Sequence, residues 1–167
     1  MISTALDKNI HNREKFDCTI VALNTYLKLT ANQQSLKDNS RTYIIEGEDD
    51  KSIIVGFYTL SMISVNLEKL PNKLQKKHKN STSAGLIARL AVDKQYANKG
   101  IGSLLLIDAL QKLLNASDTV GFAIVIVDAK DGVKSFYEKF GFKSFENEKN
   151  RLFISISDIR ASFMHQK

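Results

Sequence analysis

One cysteine, one proline and no tryptophan occur in this chain of 167 residues. A lone Cys18 excludes an intramolecular disulfide framework and fits a reducing compartment. It precedes a helical pattern and reads as a small apolar packing residue. No apolar run approaches the length needed to cross a bilayer, and the N-terminus carries no signal-peptide core, so no membrane association and a cytoplasmic location are expected. Internal repeats are missing. Aromatic residues do not interleave with basic ones as in RNA-recognition motifs, which argues against sequence-specific reading of single strands. Acidic residues are the minority charge, 18 against 24 basic, leaving a net charge of +6.

What is present suits one folded domain, residues 1–167, with a core of its own. Hydrophobic residues make up 43% and charged ones 25%, so general disorder is not expected. The positive balance favours polyanionic partners. It is concentrated at Lys69, Lys73, Lys76, Lys77 and Lys79, with His78 and only Glu68 against it. Such a segment is either a solvated lysine loop or a contact for phosphates.

Along the chain, Met1 to Phe16 shows no period and reads as a partly ordered entry. Helical spacing runs from Cys18 through Leu29, with Asp17 placed to cap it. A second short helix covers Ala31 to Leu36. Thr42 to Ile45 and Ser52 to Ile63 form a hairpin about an acidic turn with Gly47, the second strand alternating at Ile53, Val55, Phe57 and Thr59. After Pro71 and the lysine segment, Ala84 to Val92 is a strand. An amphipathic helix follows through Ile101, Leu104, Leu105, Ala109, Leu110, Leu113 and Leu114. Phe122 to Val127 reads as a buried central strand. Gly132 to Phe140 is helical, Leu152 to Ile156 is a closing strand, and Ser157 to Met164 is a terminal turn or helix. The class is α/β, with helices flanking a mixed sheet.

The chemistry-bearing segment is Arg89-Leu-Ala-Val-Asp93 followed by Ala97-Asn-Lys-Gly-Ile-Gly102. A strand runs into a glycine turn that opens a helix. That turn leaves several backbone N–H groups unpaired at the positive end of the helix dipole. Gly100 and Gly102 let backbone approach a bulky anion without a Cβ between them. Lys99 adds positive charge. A pyrophosphate is the simplest ligand for this arrangement.

The turn resembles the acetyl-CoA signature of the GNAT superfamily of N-acetyltransferases, with Ala97 where that family prefers Arg or Gln. Ala123 to Ala129, then Ser135-Phe-Tyr-Glu-Lys-Phe-Gly-Phe142, resembles the latter half of such a domain. From about Phe16 to Leu152 the chain is similar to the aminoacyl-tRNA-acetylating toxins of type II toxin–antitoxin modules, of the TacT and AtaT kind. The matching pieces are Phe16-Asp-Cys18, Leu23 to Leu27, Arg41 to Ile44, Val55-Gly-Phe-Tyr-Thr-Leu-Ser61, Leu70-Pro71, Ala88 to Asp93 and Phe136-Tyr137. Ser81 to Gly85 replaces the usual proline-rich approach to the central strand.

The resemblance implies a GNAT fold with a mixed, mostly antiparallel sheet, acetyl-CoA as cosubstrate and no metal. It places the pantetheine arm against the backbone of Leu90, Ala91 and Val92. The N–H groups of Asn98, Lys99, Gly100, Ile101, Gly102 and Ser103 then face the pyrophosphate, and the Val92 N–H polarises the thioester carbonyl. Tyr137 is implied as general acid. A phenol of pKa about 10 stays protonated at neutral pH and can return a proton to the departing thiolate; on its residues alone, packing at the end of an amphipathic helix is the commoner role. Tyr43 and Tyr58 read as core or rim residues.

No base stands out, since His11 and His78 sit in polar segments and His165 near the terminus. Asp93 and Asp128 could act through water, or serve as turn caps. An aminoacyl ester's α-amine is acidic enough to be partly neutral at pH 7, so the missing base favours that acceptor over a lysine amine. Arg41, Arg89, Arg151, Lys76 and Lys77 are candidates to meet RNA or other substrate; for Arg89 an ion pair is the competing role. The leading expectation is acetylation of charged tRNA, which blocks translation. The resemblance also implies a homodimer and a ribbon-helix-helix antitoxin. The alternatives are a small-amine, polyamine or protein acetyltransferase, and a module that binds CoA or RNA without turnover.

Overall fold

Two runs of β-branched and aromatic residues pair as the hairpin their composition predicts. In the computed structural model, which describes residues 2–79 and 83–164, Arg41–Glu46 (β2) lies antiparallel to Ile54–Ser64 (β3). The intervening acidic turn closes through the Gly47 N–H donating to the Ile53 carbonyl. Alternation fails in β3, where Ile54 through Thr59 are all buried. The strand is covered on both faces, so it needs no polar side, and period two is lost.

The remaining strands are Thr4–Ala5 (β1), Ser83–Val92 (β4), Ile124–Asp128 (β5), Lys143–Phe145 (β6) and Glu148–Ser155 (β7). Together they form one seven-stranded sheet in the order β1-β2-β3-β4-β5-β7-β6. β4 and β5 run parallel, Gly85–Ile87 against Val125–Val127. β5 with β7, β6 with β7, and β1 with β2 are antiparallel. This is the mixed, mostly antiparallel sheet expected of a GNAT fold.

The helices are Val21–Thr25 (α1), Ala31–Leu36 (α2), Asn72–Lys77 (α3), Ile101–Val120 (α4), Lys134–Glu138 (α5) and Ile156–Met164 (α6). Between α1 and α2 the residues Tyr26–Thr30 make a π-turn, marked by the Ala31 N–H reaching back to the Tyr26 carbonyl. The chain divides into two compact units, Met1–Ser61 with Ala88–Gln111, and Met62–Ile87 with Lys112–Lys167.

The first unit's core gathers Phe16, Leu23, Leu27, Ile44, Ile54 and Phe57, with Tyr26 and Ala91. Each large apolar side chain buried there contributes about 1.5–3 kcal/mol. At Gly56 the packing is closest. A Cβ would stand 2.8 Å from a Leu105 methyl and 2.9 Å from the Ala91 carbonyl oxygen. The second unit's core joins Leu70, Ala84, Ile124, Ile126, Phe145 and Phe153.

Several expectations need correction. The entry segment is ordered: β1 pairs with β2, and His11 is buried, its Nδ1 accepting the Asp7 N–H and its Nε2 lying 3.1 Å from Glu46. The first helix begins at Val21, not Cys18, and Asp17 does not cap it. The Asp17 carboxylate instead accepts from the Thr19 N–H, the Asn24 amide and Lys94. The lysine segment is largely helical: Pro71 is the extended N-cap of α3, and its carbonyl accepts the Leu74 and Gln75 N–H groups that open the helix. Ser81 and Thr82 of the approach to β4, and His165, lie outside the described residues. Leu104 is exposed on α4 while Leu106 is buried. The strand β6, three residues without alternation, gives little periodic signal in the sequence.

Candidate active site

Asp93 ends β4 and turns the chain toward α4. Its Oδ1 accepts the Gln95 N–H at 2.9 Å and its Oδ2 the Asp17 N–H at 2.9 Å. Buried and doubly bonded, it is a turn cap, not a free base. Lys94–Tyr96 then makes a single 3₁₀ turn. Asn98 and Gly100 both adopt left-handed backbone, φ 61° and 79°. Gly100 does so with nothing within 4 Å of where a Cβ would be. The backbone is therefore open to solvent on that side.

Helix α4 begins at Ile101, the first residue of the apolar helical pattern. The Leu104 N–H bonds to the Gly100 carbonyl, completing the first helical turn. The N–H groups of Ile101, Gly102 and Ser103 precede that bond, at the positive end of a twenty-residue helix. Lys99 is exposed, its ammonium 5.3 Å from the Tyr96 ring centroid. First-turn donors, a left-handed glycine with open space beside it and an adjacent ammonium fit a pyrophosphate. These features rest on backbone, so Ala97 in place of a longer polar residue does not remove them.

A cleft of about 270 Å³ lies beside this turn, lined by Glu46, Glu48, Asp49 and Asp50 together with Tyr96 and Ile101. In the sequence these acids read as a turn; in the fold they are also one wall of a cleft. Their local signal, four carboxylates within five residues, was visible. The pairing of β2 with β3 gathers them in one turn, and Ile101 lines the same cleft.

Tyr137 lies in the second unit, on α5. It is 7% exposed and stacks edge-on against Phe136 and Phe142, ring centroids 5.0 and 5.7 Å away. Burial pushes its phenol up to about 12. Among the described residues its hydroxyl makes no hydrogen bond. The side chain thus both packs and retains a proton that is free to be given away.

The other candidates are dispersed. Arg41 bonds to the Asp38 carboxylate and the Ser35 and Ser40 carbonyls. Arg151 grips Asp128 with two bonds, 2.7 and 2.9 Å, which raises its own pKa further. Lys76 and Lys77 end α3. Arg89 lies over the ring of Tyr26, 3.7 Å from its centroid. Tyr58 is fully buried, its hydroxyl donating to Asp108 at 2.6 Å and bonded to Ser3 at 3.0 Å. Burial, then the Asp108 bond, raises its pKa. Asp108 had not been singled out; a lone carboxylate on the apolar side of α4 was the available signal. No group of three or more His, Cys, Asp or Glu among the described residues is arranged to hold a metal. No helix among them is long and apolar enough to cross a membrane.

Residues 74–162 match the acetyltransferase (GNAT) domain family. A probable toxin TacT of Sinorhizobium fredii is 32% identical, over 93% of this chain and 91% of the relative. A tRNA-acetylating toxin of Mycobacterium tuberculosis is 30% identical, over 84% and 83% of the respective chains. Among solved structures, a Tyr-to-Phe mutant of KacT superposes with TM-score 0.87 at 29% identity, covering 98% of this chain and 100% of that one. AtaT complexed with acetyl-methionyl-tRNAfMet gives 0.86 at 25% identity, over 96% and 98%. The chain belongs to the GNAT family of N-acetyltransferases, for which acetyl-CoA is the acyl donor.

Proposed function

We propose that this protein acetylates the α-amine of aminoacyl-tRNA and thereby blocks translation, as the toxin of a toxin–antitoxin pair. The observation that carries this reading is the extent of likeness: a probable toxin TacT, a tRNA-acetylating toxin and AtaT complexed with acetyl-methionyl-tRNAfMet match 84–96% of the chain, not only the glycine-turn segment. The net charge of +6 supports a polyanionic acceptor.

Acetyl-CoA supplies an activated thioester. Leu90, Ala91 and Val92 offer strand backbone to its pantetheine arm, and Val92 N–H serves as the oxyanion donor. The donors from Asn98 to Ser103, with Lys99, hold the diphosphate. Attack by the neutral amine forms the new C–N bond, and Tyr137 returns a proton to the thiolate as it leaves. Its raised pKa keeps that proton in place at neutral pH. No side-chain base is assigned. An aminoacyl ester's amine is already partly neutral at pH 7, so water suffices to carry its proton away. The product amide has no free amine to attack a peptidyl ester.

In this reading residues 1–167 act as a single GNAT domain in the cytoplasm, as a homodimer, opposed by an antitoxin with a ribbon-helix-helix domain. Arg41, exposed on β2, and Lys76 and Lys77, exposed at the end of α3, are each assigned to contacts with RNA phosphates.

A second reading has one specific observation in its favour. The four carboxylates lining the cleft beside Ile101 suit a cationic small amine or polyamine. Labelled acetyl-CoA offered with charged tRNA, deacylated tRNA and spermidine separates the two. Label in charged tRNA alone, lost in Tyr137→Phe, supports the first; label in spermidine alone replaces it with the second.

A further inference from the structure

The π-turn at Tyr26–Thr30 and the strand residue Arg89 meet in a way that thioester chemistry leaves unused. Tyr26 is 6% exposed, and its hydroxyl has no hydrogen-bond partner. A buried hydroxyl without a partner is uncommon, because it gives up water and gains nothing in return. Over the same ring lies the Arg89 guanidinium, 3.7 Å from the centroid. Arg89 has no carboxylate partner among the described residues. A half-buried cation without an anion and a buried hydroxyl without a partner therefore share one ring. The π-turn, a geometry that recurs at functional sites, sets Tyr26 in this position.

Stacking on Tyr26 uses one face of the guanidinium and fixes its plane. The five N–H donors lie in that plane and stay available as a fork that matches paired anionic oxygens. Arg89 also precedes Leu90, Ala91 and Val92 on β4 directly. A ligand held by Arg89 is thus brought beside the strand assigned to the pantetheine arm.

We infer that Arg89 and Tyr26 form an anion seat that takes a backbone phosphate at the single-stranded end of the acceptor RNA. This rests on the aminoacyl-tRNA reading above and deepens it. Arg89 supplies the bidentate contact. Tyr26 fixes the plane of the fork and offers the further hydroxyl. The seat places the acceptor; it takes no part in proton transfer.

The test compares acetylation of charged tRNA with that of aminoacyl-adenosine, which carries the same amine and no phosphate, at saturating acetyl-CoA. For Arg89→Gln, kcat/KM on charged tRNA falls by about tenfold or more, through KM, as expected for loss of a charged hydrogen bond. The fall on aminoacyl-adenosine is several-fold smaller. The salt dependence of tRNA binding drops by about one phosphate's share, a slope change of roughly 0.7. Arg89→Lys keeps the salt slope but loses affinity, because charge remains and the fork does not. Tyr26→Phe raises the tRNA KM less than Arg89→Gln does. Equal falls on both acceptors, or an unaltered salt slope in a folded Arg89→Gln protein, overturn the seat. A wild-type protein that labels spermidine and not charged tRNA overturns the acceptor reading itself, a distinguishable result.

Discussion

Asp93 accepts the backbone N–H of Asp17 at 2.9 Å across 76 positions of sequence. The link is reciprocated one residue on, where the Lys94 N–H donates to the Asp17 carbonyl at 2.8 Å and its ammonium reaches the Asp17 carboxylate at 2.8 Å. Segment 16–18 and the start of the turn after β4 are therefore held as one piece. Asp93→Ala leaves the Asp17 and Gln95 N–H groups without their acceptor, in a site where Asp93 itself is 5% exposed. The expected cost is about 1–3 kcal/mol of stability, with a weaker Kd for acetyl-CoA, read by urea unfolding and calorimetry. Unchanged binding in a destabilised variant shows the turn to be independent of this tie.

Tyr137→Phe keeps the ring contacts with Phe136 and Phe142 and removes only the hydroxyl proposed as proton donor. We expect kcat to fall by about 100-fold or more, the usual range for a lost general acid. The melting temperature should hardly move, since the hydroxyl makes no hydrogen bond among the described residues. A large drop in melting temperature with modest loss of kcat identifies a packing role instead.

Gly56→Ala pushes a methyl into the Ala91 carbonyl and a Leu105 methyl at under 3 Å. Overpacking of this kind costs roughly 1–3 kcal/mol. Gly100→Ala is a different case. There the space is open and the cost is backbone strain at φ 79°, about 1–2 kcal/mol. Thermal melts should rank both below wild type. Calorimetry should find acetyl-CoA binding weakened more at Gly100, where the N–H groups themselves are turned, than stability alone explains.

Alkaline and acid limits of stability differ in origin. In the folded protein the phenol of Tyr137 titrates at about 12, whereas an unfolded chain ionises near 10. Between those values the unfolded state loses a proton that the folded state keeps, so stability falls as pH rises through this window. The loss from Tyr137 reaches roughly 2–3 kcal/mol, and Tyr58, raised likewise, adds to it. At the acid end, Lys94, the Thr19 N–H and Asn24 hold the Asp17 carboxyl well below the usual range. Its contribution is present above about pH 4 and fades as pH falls below that. Denaturant midpoints from pH 3 to 12 should show both limbs; Tyr137→Phe should flatten the alkaline one.

Elements whose cause is local could be read from the chain. Ala31–Leu36 emerged with both ends as expected, and β2 within a residue, because helical period and β-branched runs act over a few neighbours. The left-handed glycine turn was legible for the same reason: Lys99, Gly100 and the helix start are contiguous. What failed depended on distant partners. Asp17 reads as a cap until Lys94 and Asp93 are beside it. His11 reads as a surface residue until Glu46 meets it. The pairing of Arg89 with Tyr26 spans 63 positions, and neither residue's flanks announce the other.

The π-turn carries a consequence for chain length. Its wider winding accommodates one more residue than an α-helix would over the same rise. Removing a single residue between Tyr26 and Ala31, Lys28 for instance, would let α1 and α2 merge into one regular helix. Everything upstream would then rotate by about 100°, the angular step of one helical residue, and carry the Tyr26 ring out from under Arg89. Here a count of residues, more than the identity of any of them, decides where an aromatic platform points.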